Sequence, residues 1–265
     1  MQRHDRDALA ALFVHGWRQA AASRATMVGR ILLLVLILLI FWAMWQATPL
    51  GELGAGGPTV AQVLWYLAAT ETIALSVGYP YRSVESEIRS GAITTHFLRP
   101  VHYVASTIVS WLGEMTYRFL GIASAATLTA LVVTRAVPFD AMTGAALLVG
   151  LWIACAMLLI SQLCVGLVAT WMSSAAPAFW VWQKLLFVLG GLMIPLTIYP
   201  DWLESVAFAT PFPAMMFLPA SLVFDGSLAR TAAVFASQAF WVVLLGVMAI
   251  SLYRRMDAHL TLNGA

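Results

Sequence analysis

The sequence is short of charge. Only 10% of its 265 residues are Asp, Glu, Lys or Arg, against 62% hydrophobic, where soluble domains run at about 25% charged and about half apolar. Lysine is almost missing, Lys184 being the only one among 14 bases. No basic stripe with interleaved aromatics stands outside the apolar runs, which argues against a nucleic-acid partner. Cysteine is scarce too: Cys155 and Cys164 are the only two. On a helix their spacing separates them by about 13 Å, too far for a disulfide, so they read as small buried hydrophobes. The sequence also lacks the patterns of common catalytic sites. It contains no G-x-S-x-G, no paired-Asp signature, no His–Glu metal helix and no G-x-x-x-x-G-K-[ST] phosphate loop. His4, His15, His96, His102 and His259 all lie in tails or in one polar segment. These absences count against an intramembrane hydrolase and against nucleotide binding by a phosphate loop.

What the chain has in abundance is apolar runs, and a helical span needs about 20 such residues. The first, Ile31–Gly51, carries no charge; it starts too late and runs too long for a signal-peptide core, so it is expected to be a retained span. Val60–Tyr79 is a second, interrupted by Glu71, and a third lies within Tyr103–Thr134. Ala141–Gln183 holds a fourth and the start of a fifth, broken at "SSAAP" (Ser173–Pro177), with the fifth running to about Ile198 and Thr231–Tyr253 a sixth. The expectation is an all-α integral membrane protein of six transmembrane helices forming a single domain over 1–265. Arg3, Arg6, Arg18, Arg24, Arg30, Arg82, Arg89, Arg99, Arg254 and Arg255 fall on one side and only Arg135 and Arg230 on the other. Ten against two places both termini in the cytoplasm.

Before the first span, Leu9, Leu12, Phe13 and Trp17 recur at helical spacing within 7–24. That stripe suits an amphipathic helix lying in the cytoplasmic interface, or a helix packed on the rest of the chain. Few charges enter the spans. Glu71 is either functional or a carboxyl that fixes packing, since burying it in hydrocarbon is costly. Glu114 and Arg118 form an i,i+4 pair in the favourable order and read as structural, at the inner interface. Lys184 is expected to snorkel. The connection "IPLTIYPDWLESVAFATPFPAMMFLPASLVFDG" has five prolines yet is too greasy for an aqueous loop. It reads as a re-entrant hairpin in the outer leaflet over 199–226, with Trp202, Leu203 and Val206 on the apolar face of its first helix.

The charge that remains is concentrated in "ESEIRSGAITTHFLRPV" (Glu85–Val101). Six spans, an N-terminal interfacial helix and a proline-rich outer hairpin resemble the permease subunits of ABC-2 type ABC transporters. The segment "EIRSGAITTHFLRPVHY" is similar to that family's "E-I-x-x-G-x-(few)-L-x-R-P-v", carried here by Glu87, Ile88, Gly91, Leu98, Arg99 and Pro100. The outer "P…YPDWLESVAFATPFPA…P" is similar to its "P…P-x-W-L…P-F", through Pro195, Pro200, Trp202, Leu203, Pro211 and Phe212. The closing "YRRMDAHLTLNGA" resembles the basic tail of many such permeases.

The resemblance implies that 83–98 is a coupling helix seated in a cleft of a separate ATPase. Ser83 would cap it, Glu85 and Glu87 would favour its N-terminus and Arg89 its C-terminus, and Gly91 would supply a left-handed stop. Ile88 would point at the partner as an apolar knob, and Pro100 would open the third span. It implies a non-catalytic exporter subunit in a bacterial inner membrane that binds no cofactor itself. ATP and Mg would belong to two ATPase copies, and a second permease, identical or related, would complete the path. The substrate would be amphipathic, drug-like or lipid-like, with Glu71 favouring cationic drugs. The rival readings are an intramembrane lipid-modifying enzyme, which lacks its catalytic residues, and an ATP-independent transporter, which lacks visible repeats.

Overall fold

Hydrocarbon offers the backbone no hydrogen-bond partner, so apolar runs of this length must satisfy their own amides as helices. The computed structural model describes residues 3–47, 58–98 and 102–262, and every regular element among them is helical. In chain order these are α1 (Arg3–Ala22), α2 (Arg24–Ala47), α3 (Val60–Ser76), α4 (Tyr81–Arg89), α5 (Tyr103–Thr134), α6 (Ala141–Leu167), α7 (Ala176–Leu189), α8 (Asp201–Phe208), α9 (Phe212–Met215), α10 (Phe217–Ala220) and α11 (Leu228–Leu262). Tighter 3₁₀ turns occupy Ala92–Leu98, Val168–Thr170, Leu196–Ile198 and Ser221–Val223.

The chain is an all-α membrane protein with five stretches long and apolar enough to cross a bilayer: Arg24–Ala47, Val60–Arg89, Tyr103–Thr134, Ala141–Thr170 and Leu228–His259. The remaining expected span begins where the serine and proline signal put it, with Pro177 in the first turn of α7. It does not run to Ile198. α7 has 14 residues, about 21 Å of helix against about 30 Å of hydrocarbon. It stops at Gly190–Gly191, where Gly191 takes the left-handed conformation with φ 68°. Hydropathy continues beyond this point, but the backbone turns.

α3 is the axis of the fold. Its residues from Val63 to Ile73 are all buried, and it packs against α2, α5, α6 and α10. A capping box between Thr59 and Gln62 starts it. Asp140 starts α6 by accepting the Thr143 amide at 3.0 Å, and these bonds hold its exposed carboxylate below the usual range. Outward faces carry Leu32, Leu128, Met142, Phe240 and Val243, as expected where lipid is the solvent.

The stripe of α1 has an occupant. Leu9, Leu12, Phe13 and Trp17 are half-buried, α1 packs along α5, and Trp17 meets Tyr117 edge-on at 5.3 Å. The two backbones touch at Gly16 and Gly113: a Cβ on either would stand 2.0 Å from a carbonyl oxygen of the other helix, Ser110 and Phe13 respectively. α1 is therefore a packed helix, its apolar side closed by α5.

The connection between α7 and α11 folds back into the protein. Its return limb, residues 212–223, is buried throughout. Thr70 donates to the Leu192 carbonyl at 2.7 Å and Tyr66 donates to that of Gly191. Gln238 on α11 donates to Gly150 at 2.9 Å and to Ala214 at 3.3 Å, tying the limb to α6 and α11. Phe212 is buried and Pro211 half-buried. On α8 the surface is apolar but outward: Trp202 and Val206 are exposed, Leu203 is half-buried, and Pro200 just before them is exposed.

Candidate functional site

Most of the charge-rich segment forms α4 and the 3₁₀ turn after it. The helix starts three residues earlier than the Ser83 cap predicts, with Pro80 at the N-cap position and no side-chain cap. Ser83 lies inside the first turn and donates to the Pro80 carbonyl at 2.8 Å. Glu85 and Glu87 therefore fall mid-helix, where they serve other helices. At the far end Gly91 has φ 72° with nothing near its missing Cβ, so backbone conformation alone asks for glycine there. Arg89 stands in the last turn. The Leu98 side chain, Arg99 and Pro100 lie outside the described residues.

Three attachments seat α4. Against α6, Val84 is fully buried over Gly166; a Cβ at Gly166 would meet Val84 Cβ at 2.8 Å and the Tyr81 carbonyl oxygen at 3.0 Å. Against α7, Tyr81 stacks on Phe179 with centroids 4.2 Å apart. Glu85 Oε1 also accepts the Ala175 amide at 3.0 Å, satisfying a free N–H at the start of α7. Against α5, Tyr103 donates to Glu87 Oε2 at 2.9 Å, with His96 Nε2 3.7 Å from the same oxygen. Tyr103 in turn stacks on Tyr253 of α11 at 5.3 Å. Ile88, expected as an outward apolar knob, is half-buried, with part of its side chain against the chain's own core. The exposed face carries Arg82, Ser83, Ser86, Arg89 and Ser90 instead. It is a polar surface on a helix bonded to three others.

The chain matches the family described as ABC-2 family transporter protein over residues 31–261, which is most of its length. The chain belongs to the ABC-2 transporter family. Members of this family are non-catalytic membrane permeases of ABC transporter systems and function with ABC ATPase partners. No curated protein matches the chain. The ABC-2 match covers α4 and its seats on α5, α6, α7 and α11.

Two cavities adjoin the platform of this ABC-2 chain. One, of about 390 Å³, is polar and lined by Arg30, Ser83, Glu87, Glu114 and Arg118 among others. Here Arg118 pairs with Glu114, as the spacing predicts, and Arg30 donates to the Leu75 carbonyl. The other, of about 410 Å³, lies among α2, α3 and α7; Glu71, Gln162, Phe179 and Trp182 help to line it. Lys184 is exposed on α7, 6.0 Å from the ring centres of Trp180 and Phe187. Among the described residues no group of His, Cys, Asp or Glu is placed to hold a metal ion. Tyr81, Val84, Tyr103, Gly166 and Gln162 carry no motif and were not singled out from sequence. Only the paired tyrosines flanking the charged segment hint at a buried anchor.

Proposed function

We propose that this chain is the permease of an ATP-driven exporter, one domain over 1–265, with α4 as the element that receives motion from the ATPase. The observation that carries the reading is the seating of α4. It offers a polar outer face while bonding inward to α5, α6 and α7, so a push on it is delivered to three helices at once. Glu85, Glu87, Arg89 and Gly91 shape it, and Leu98, Arg99 and Pro100 lead on into α5. Two ATPase copies, which bind the ATP and Mg, dock on two permeases, identical or related. The arginine bias supports cytoplasmic termini, and the membrane is taken to be a bacterial inner membrane. α7 then enters from the cytoplasm as a sixth, partial crossing, and the buried limb around Pro211 and Phe212 forms a re-entrant outer hairpin, with Trp202 and Leu203 on its first helix. An amphipathic substrate enters from the inner leaflet beside Glu71 and leaves beneath that hairpin. Substrate biases the cycle only through different affinities for its two states.

Purifying the complex from native membranes tests this. A co-purifying ATPase with a phosphate loop, and transport that stops without ATP, are expected. A chain that purifies alone and transports without ATP overturns the reading.

A further inference from the structure

The cavity of about 410 Å³ among α2, α3 and α7 contains two buried acceptors with nothing to accept from. Glu71 is only 4% exposed, and its carboxylate bonds to none of the described residues. Gln162 is 3% exposed; its Nε2 donates to the Gly78 carbonyl at 3.1 Å, which leaves Oε1 as an acceptor, and Oε1 is buried without a partner. Charged groups are rarely buried without a partner, so an unpaired carboxylate lining an apolar cavity calls for an explanation. The remaining walls are aromatic and apolar, including Phe179, Trp182, Phe187 and Met216. Arg30 also lines the cavity, but it donates to the Leu75 carbonyl and makes no ion pair with Glu71.

Each candidate ligand class can be weighed against this lining. An anion meets the carboxylate of Glu71. A neutral apolar molecule leaves the carboxylate unpaired. A protonated amine supplies N–H donors and positive charge, and aromatic faces attract the same cation. The apolar wall asks for an apolar body attached to it. Access is lateral: α2 and α7 do not pack extensively on each other, and the cavity lies between them. Glu71 stands five residues from the end of α3 nearest α4, about 7.5 Å along the axis.

We propose that this gap is a binding site for amphiphiles carrying a protonated amine, with Glu71 pairing the ammonium and the aromatic wall covering the apolar body. Binding is a property of this chain alone; its use as a substrate site rests on the permease reading. The amine is either that of a lipid headgroup or that of a free hydrophobic molecule.

The test is fluorescence titration of the purified full-length chain with dansylcadaverine, a primary amine on an aromatic body, and with its N-acetyl derivative. The wild type is expected to bind the amine saturably and the acetylated probe far more weakly. Glu71→Gln, close in shape, is expected to weaken amine binding about tenfold or more, the loss of one charge-assisted bond. Competition identifies the source. Displacement by phosphatidylethanolamine but not phosphatidylglycerol assigns a lipid amine, and displacement by neither assigns a free one. Equal binding of both probes by the wild type, or equal amine binding by Glu71→Gln, overturns the proposal. Co-purification of the ATPase, scored on the same preparations, separates the two readings. If the ATPase is retained and amine binding ignores Glu71, only the amine site falls. If amine binding holds and no ATPase is found, only the permease reading falls.

Discussion

Gly166→Ala adds one methyl group at the seat of α4. The new Cβ would stand 2.8 Å from Val84 Cβ, 3.0 Å from the Tyr81 carbonyl oxygen and 3.1 Å from Val84 Cγ1. Carbon atoms pack best at about 3.5–4.0 Å, so α4 must retreat by about 1 Å. A rotamer change cannot relieve the clash, because two of the three atoms are a Cβ and a backbone oxygen. Overpacking of this kind costs about 1–3 kcal/mol. The same retreat stretches the bond from the Ala175 amide to Glu85, now 3.0 Å, to about 4 Å, where it no longer counts as a hydrogen bond. The variant should insert normally and unfold at a somewhat lower temperature. Amides 81–91 should exchange faster by mass spectrometry, and substrate-stimulated ATP hydrolysis by the complex should fall several-fold. Gly246→Ala is the control: nothing lies within 4 Å of its Cβ position, so it should be neutral or slightly stabilising. Wild-type exchange over 81–91 together with unchanged coupling in Gly166→Ala would refute the reasoning.

Three further outcomes are expected. Glu85→Ala should loosen α4 from α7 and reduce coupling, whereas Glu85→Gln, which keeps an acceptor oxygen for the Ala175 amide, should retain most of it; equal loss in both would point to the charge instead. Gln238→Leu removes the bonds to the Gly150 and Ala214 carbonyls and should cost about 1 kcal/mol, read as a lower midpoint in thermal unfolding and faster proteolysis between α7 and α11. Asp140 is held below its ordinary range by the bonds from Thr143. Its stabilisation is thus full above its unfolded-state value of about 3.9 and is lost as pH falls through the lower folded value. Asp140→Ala should therefore unfold earlier than the wild type at pH 7, with the gap closing below about pH 4; a gap independent of pH would exclude the carboxylate as its cause.

Local chemistry explains which parts of the fold could be anticipated. The uncharged run around Ile31–Gly51 and the break at Ser173–Pro177 were legible because length, hydropathy and proline act within one segment. The end of α7 was not: the residues stay apolar to Ile198, and the stop comes from two glycines and the bonds that Tyr66 and Thr70 make to the turn. The stripe of α1 announced an apolar face without saying that Gly113 lets α5 cover it. α4 shows the same limit more sharply. Its charges marked the segment as special, but their roles were misplaced once the helix began at Tyr81. Glu85 and Glu87 bond to Ala175 and Tyr103, and Val84 sits on Gly166. Those partners lie 90, 16 and 82 residues away, and no local pattern encodes them.

The central claim is that the outer face of α4 contacts an ATPase. Cys155 and Cys164 are buried, so single cysteines introduced at Ser86 or Arg89, both exposed, provide clean cross-linking sites. In native membranes Ser86→Cys and Arg89→Cys should each cross-link to a protein bearing a phosphate loop, in a yield that changes when ATP is added. Asp201→Cys, beyond the other end of α7, should not. Failure of both α4 cysteines to capture an ATPase, with Asp201→Cys behaving the same way, would contradict the account.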